Sequence, residues 1–248
     1  MAIRVVIPAR MASTRLPNKV LADIAGKPMV QHVYEQAIKS QADSVVIATD
    51  HVEVKQAAEA FGADVCMTRE DHPSGTSRIA EVVEQQRYQD NDVIINVQGD
   101  EPLLPFELID QVAQLSQATP EAAVATLSEP MSKVADVLGS HDVKVVTDKD
   151  GFALYFSRAP IPFDVKRFPE SLDDDFVYQR HVGLYAYRAT FLKHYTELEA
   201  SPLEKLESLE QLRVLWHGKK IIVGHAVKSS GVAVDTPEDL EKVRSRFV

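Results

Sequence analysis

The chain has 248 residues, 45% of them hydrophobic and 26% charged, with a formal net charge of −10 and a single cysteine. That size and balance suit a globular α/β domain with a substantial core, while the lone Cys66 excludes an internal disulfide framework and a multi-cysteine metal site. The acidic charge argues against nucleic acid or an anionic membrane as the main partner, no apolar run approaches the ~18 residues of a membrane span, and no signal-peptide pattern opens the chain, so a cytoplasmic enzyme is expected.

Ile3 to Ile7 form a short β-branched run ended by Pro8, the pattern of a buried strand whose next residues turn out of the sheet. The loop that follows carries Arg10, Arg15 and Lys19 around the small Ala12, Ser13 and Thr14. Its guanidinium, ammonium, hydroxyl and backbone N–H donors suit a triphosphate. Residues 1 to 40 carry a net +4, leaving −14 for the remainder, so an acidic protein has gathered its cations where a small anion would sit. Neither the dinucleotide G-x-G-x-x-G nor a Walker lysine motif is present.

Gly26-Lys27-Pro28 breaks the chain before a helix carrying Met29, Val33 and Ala37 inward. Strands at Ser44 to Thr49 and Asp64 to Met67 flank a helix from about Val52 to Phe61, an alternation that predicts a mostly parallel, doubly wound sheet. Ser74-Gly75-Thr76-Ser77-Arg78 opens the next helix. Small hydroxyl residues there cap helices, but exposed N–H groups with Ser74, Thr76 and Arg78 also suit the polar edge of a base.

Val93 to Val97 reads as the central strand and ends in Gln98-Gly99-Asp100-Glu101-Pro102. A carboxylate leaving a central strand at its carboxyl end suits magnesium, which takes one or two carboxylates plus substrate phosphates. From about Met131 the pattern changes: Lys144 to Thr147, Phe152 to Ser157 and His181 to Tyr187 are expected as strands of an antiparallel subregion laid over the open edge of the first sheet. Pro160 to Asp175, proline-rich and acidic, is expected as a mobile excursion or lid. Leu203 to Trp216 reads as one amphipathic helix, stopped by Gly218 before a strand at Ile221 to Val223. In Asp235-Thr236-Pro237-Glu238-Asp239, Thr236 caps and Pro237 starts a helix, which leaves Asp235 outside the cap as a second candidate for the metal.

Ile7-Pro8-Ala9-Arg10, Ser13, Arg15-Leu16-Pro17 and Lys19, then Ser74-Gly75-Thr76 with Arg78, Gln98-Gly99-Asp100-Glu101-Pro102, Tyr155-Phe156-Ser157-Arg158, His181-Val182-Gly183-Leu184-Tyr185 and Val234 to Leu240 together resemble the 3-deoxy-manno-octulosonate cytidylyltransferase (CMP-Kdo synthetase) family over almost the whole chain. The resemblance implies a Rossmann-like nucleotidyltransferase fold, a homodimer, and the reaction of CTP with 3-deoxy-D-manno-octulosonate (Kdo) to give CMP-Kdo and pyrophosphate for lipopolysaccharide biosynthesis. It implies one domain over residues 1–248, with a nucleotide part at about 1–130 and 221–248 and a sugar-binding and dimerisation part at about 131–220. By the same resemblance Arg10, Ser13, Arg15 and Lys19 hold the triphosphate, and Ser74, Gly75, Thr76 and Arg78 surround the cytosine. Asp100 and Asp235 bind Mg²⁺, while Gln98, Arg158, His181, Tyr185 and Glu210 or Gln211 hold the sugar acid. Met11, Asn18, Ser77 and Ala233 depart from the usual family residues, an aromatic, a glycine, an acid and a glycine respectively.

Nucleotidyl transfer needs no protein nucleophile: positioning and charge neutralisation carry it, so Asp100, Asp235, Lys19 and Arg10 are the expected catalytic residues. Sialic acid or an 8-amino analogue of Kdo are alternative acceptors. Where Thr14-Arg15 stands, sialate synthetases typically carry glycine and lysine. A glycosyltransferase is a further alternative but typically shows Asp-x-Asp, whereas Asp100 is followed by Glu101-Pro102.

Overall fold

The computed structural model describes residues 1–11, 16–172 and 175–247, so Ser13 and Arg15 lie outside the described residues. In chain order the strands are β1 (Ile3–Pro8), β2 (Asp23–Ile24), β3 (Lys27–Pro28), β4 (Ser44–Thr49), β5 (Asp64–Met67), β6 (Val93–Asn96), β7 (Val124–Met131), β8 (Lys144–Thr147), β9 (Ala153–Ser157), β10 (Tyr178–Arg188) and β11 (Ile221–His225). The helices are α1 (Met29–Ala37), α2 (Val52–Ala60), α3 (Gly75–Gln85), α4 (Phe106–Ala118), α5 (Val134–Leu138), α6 (Ala189–Tyr195), α7 (Pro202–Glu207), α8 (Gln211–Trp216) and α9 (Pro237–Arg244). None of them is long and apolar enough to cross a membrane.

The main sheet runs β11-β7-β10-β6-β1-β4-β5, with β8 and β9 attached to β10. β6, β1, β4 and β5 pair in parallel, as do β11 and β7, whereas β10 is antiparallel to both β6 and β7. This is the α/β, mostly parallel sheet with an antiparallel subregion expected from the sequence, with β6 at its centre. The antiparallel strands do not overlie the sheet edge, however: β10 runs through the sheet between β6 and β7.

Both faces of the sheet are covered, which is why its strands read as unbroken apolar runs. Val5, Ile7, Val93 and Ile95 enter one core with Val33 of α1 and Leu108 and Val112 of α4. Their neighbours Val6 and Ile94 enter the opposite core with Ile79, Val82 and Val83 of α3 and Leu192 of α6. A smaller cluster of Ile24, Met29, Val234, Leu240 and Val243 docks α9 on the β2–β3 hairpin. It brings the last helix of the chain against its first loop.

Three local features differ from the sequence reading. β7 is absent from the sequence reading and carries Pro130, yet β11 pairs with Val124 to Ser128, so the missing N–H falls beyond the β11 ladder. The expected helix from Leu203 to Trp216 is two, because Ser208 adopts left-handed φ of 53° and ends α7. Phe168, in the segment expected as a lid, is buried with Met131, Val137 and Tyr178.

Candidate active site

Two cavities open along the carboxyl ends of β1 and β6. The first, of about 640 Å³, is walled by Arg10, Lys19, His72, Ser74, Gly75 and Arg78. The second, of about 470 Å³, lies among Arg158, Arg180, His181, Tyr185 and Gln211. They share Gly75, Gln98, Asp100, Glu210 and Asp235, so a ligand in either one ends at the same seam.

The seam is held by a cation between two carboxylates. Lys19 Nζ donates to Asp100 Oδ2 at 2.5 Å and to Asp235 Oδ1 at 3.1 Å, across 81 and 216 residues of sequence. Lys19 starts a 3-10 turn behind Asn18, whose φ of 56° is left-handed. Asn tolerates that region far better than most residues, so it suits this turn. Asp235 is fixed from the other side: Val234 N donates to Asp100 O at 2.9 Å, and Thr236 caps α9 through a reciprocal bond with Asp239. Gly99 is required here, since a Cβ would lie 2.9 Å from the Pro8 carbonyl oxygen, and that closeness brings the exits of β1 and β6 together.

Two carboxylates already gathered on one positive charge are a hard-oxygen set of the type magnesium accepts. Among the described residues no group of three or more His, Cys, Asp and Glu could hold a metal, so an ion here would need phosphate and water to complete its shell.

In the first cavity, Ser74 is the N-cap of α3, and Ser77 returns the capping-box bond that an acid usually makes. The departure at position 77 therefore keeps the cap. Thr76 Oγ1 donates to Glu210 Oε2 at 2.7 Å and ties this helix start to the α7–α8 junction. Arg78 is 3% exposed, and its guanidinium is committed to Asp50 Oδ2 at 2.5 Å, to Thr68 Oγ1 and to Arg69 O. His72, which sequence reasoning missed, bridges Glu81 and Ser77 below the same loop.

In the second cavity, Arg158 gives Nε to Glu207 O at 2.7 Å and Nη1 to Ser140 O at 2.9 Å. His181 meets Thr126 Oγ1 through Nε2 at 2.9 Å and lies edge-on to Phe156. Burial, helped by the charge of Arg180, pushes its pKa down to about 3, so the imidazole is neutral at physiological pH. In that state it exchanges hydrogen bonds with a neighbour without adding charge to the cavity wall. Tyr185 stacks on Tyr187, and burial raises its phenol well above the usual value. Gln98 faces the irregular stretch of β10 at Gly183, 3.5 Å from its carbonyl. Glu210 accepts from Thr76, and Gln211 is buried with its Nε2 unpartnered among the described residues.

Other lining groups had no motif to announce them. Arg180 pairs with Glu129 at 2.5 Å, and as one polar residue among Gln179, His181 and Arg188 on β10 it carries no distinguishing sequence signal. Tyr195 is buried, and its hydroxyl has no partner among the described residues. Beneath the seam, burial and the Asp100 charge push the Glu101 carboxyl up to about 8.

A family model described as cytidylyltransferase matches residues 4–221. The chain is 56% identical over 246 residues to the 3-deoxy-manno-octulosonate cytidylyltransferase of Francisella tularensis subsp. holarctica, covering 99% of this chain and 98% of that one. It is 55% identical over 249 residues, with the same coverage, to the protein of that name from Francisella philomiragia subsp. philomiragia. A solved structure of CMP:2-keto-3-deoxy-manno-octonic acid synthetase complexed with CTP superposes with a TM-score of 0.92 at 42% identity, covering 100% of this chain and 98% of that one. A cytidylyltransferase from Leptospira borgpetersenii shares the fold at a TM-score of 0.62 and 16% identity, covering 99% and 86%.

Proposed function

The chain belongs to the cytidylyltransferase family, and on that premise we propose that it joins CTP to Kdo, giving CMP-Kdo and pyrophosphate. The observation that carries this reading is the seam: two cavities of different lining meet at Asp100, Asp235 and Lys19, where the α-phosphate of one substrate has to face a hydroxyl of the other. An in-line displacement needs such a junction and little else from the protein.

The basic first cavity takes CTP. Arg10 and Lys19 bind its triphosphate, together with Ser13 and Arg15, and the start of α3 at Ser74, Gly75 and Thr76 lies along the base. The second cavity takes the sugar acid, with the Arg158 guanidinium for its carboxylate and Gln98, Tyr185, Glu210, Gln211 and neutral His181 for its hydroxyls. A hydroxyl oxygen of Kdo forms its bond to the α-phosphorus as the bond to the β-phosphate oxygen breaks, and the hydroxyl proton passes to solvent. Lys19 and Arg10 stabilise the negative charge that grows on pyrophosphate. Asp100 and Asp235 would hold Mg²⁺, which when bound supplies charge neutralisation at the α-phosphate and lowers the pKa of the attacking hydroxyl. Lys19, which bridges these two carboxylates, also lines the first cavity, within reach of a triphosphate there.

The proposal extends to a cytoplasmic homodimer serving lipopolysaccharide synthesis. The part at about 131–220 holds the sugar and the dimer contact; Phe163, Val165, Phe176 and Val177 are exposed there and supply apolar surface for a second copy. The test is pyrophosphate release from purified protein with magnesium, each of the four NTPs, and Kdo, 8-amino-Kdo or sialic acid. Release with CTP and Kdo is expected, and its absence refutes the reading. Light scattering checks the dimer.

A further inference from the structure

Lys144, the first residue of β8, is 0% exposed, yet among the described residues its ammonium forms no ion pair with a carboxylate. It donates instead to three main-chain carbonyls: Gly139 O at 2.8 Å, Asp142 O at 2.6 Å and Arg158 O at 2.6 Å. Withdrawing an ammonium from water is costly and is offset only when every proton finds an acceptor, as here. A methionine or leucine would fill the same space without that cost. The charge therefore needs a reason beyond packing.

The three carbonyls supply one. Two belong to the loop at 139–142 and the third to the chain just after β9, and both stretches wall the second cavity through His141, Asp142 and Arg158. The same loop accepts Arg158 Nη1 on the Ser140 carbonyl, and Glu207 takes Arg158 N at 2.9 Å and Ser157 Oγ at 2.6 Å. Lys144 thus gathers the loop that orients Arg158 and also grips the Arg158 main chain. Arg158 Nη2 makes no hydrogen bond among the described residues and stays available to a ligand.

We propose that Lys144 is a positioning residue for the acceptor site: its ammonium staples the 139–142 loop to the Arg158 main chain so that the guanidinium meets the carboxylate of the sugar acid. The inference rests on the reading of the second cavity as the Kdo site. Its charge, one residue's contact from the Arg158 backbone, also adds positive potential to that wall.

The test uses Lys144→Met, which keeps the unbranched shape and most of the length of the side chain while removing the ammonium, with Glu207→Gln and the double variant. For Lys144→Met the KM for Kdo rises at least tenfold, while the KM for CTP and CTP binding measured by calorimetry stay within twofold. Glu207→Gln shifts the Kdo KM in the same direction, and the double variant is worse than either by less than the product of the two effects, because both act on one guanidinium. An unchanged Kdo KM in Lys144→Met overturns the inference, as do fully multiplicative effects. Equal loss of CTP binding, or failure of Lys144→Met to fold, also overturns it, since Lys144 would then hold the whole domain rather than one wall. Wild-type protein that releases no pyrophosphate from CTP and Kdo overturns the underlying reading and the inference with it, whereas the other failures leave that reading standing.

Discussion

His181→Gln separates a buried neutral histidine from a cationic one. In the fold the imidazole is 9% exposed, bonded to Thr126 Oγ1 at 2.9 Å, and its pKa lies at about 3 instead of 6.5, chiefly through burial. Between those values the unfolded chain takes up a proton that the native state refuses, so stability falls as pH drops from 6.5 towards 3 and is unaffected by this group above 6.5. The loss accumulates at about 1.4 kcal/mol per pH unit, roughly 2 kcal/mol by pH 5 and at most about 5 kcal/mol near pH 3. Glutamine still offers an amide to Thr126 but does not titrate. Urea unfolding at pH 7.5 and pH 5.0 should therefore show wild type losing about 2 kcal/mol more than the variant. Parallel losses, or an imidazole resonance of His181 titrating near pH 6, would refute the argument. His181 would then be able to meet the sugar carboxylate as a cation.

Asp100→Asn removes half of the carboxylate pair at the seam and should lower turnover by roughly a thousandfold or more, the scale of one strong transition-state electrostatic contact; near-normal turnover at saturating magnesium would reject its role. Arg158→Ala should raise the KM for Kdo far more than that for CTP, and equal effects on both would defeat its assignment to the sugar acid. Tyr195→Phe deletes a buried hydroxyl that has no partner among the described residues, so thermal unfolding should show a change between zero and about 1 kcal/mol of stabilisation, and a clear destabilisation would reveal a further hydrogen bond. Gly99→Ala forces a methyl to within 2.9 Å of the Pro8 carbonyl and should cost about 1–3 kcal/mol together with turnover; an unchanged melting temperature would show that β1 and β6 can part at no cost.

Much of this protein could be read from local sequence. Val5, Val6 and Ile7, like Val93, Ile94 and Ile95, announce strands buried on both faces, and periodicity is a property of neighbours. The basic turn through Lys19, the acidic exit at Asp100 and the capped start of α9 after Asp235 were visible for the same reason: charge, Gly, Pro and capping residues act within a few positions. Tertiary structure alone decided that Lys19 bridges the two aspartates, because that depends on β6 lying beside β1 and on α9 docking against the β2–β3 hairpin. It also decided the left-handed break at Ser208, the passage of β10 through the sheet, the neutrality of His181 and the carbonyl cage around Lys144. Each of these is set by groups remote in sequence, through burial and register that no window of consecutive residues contains.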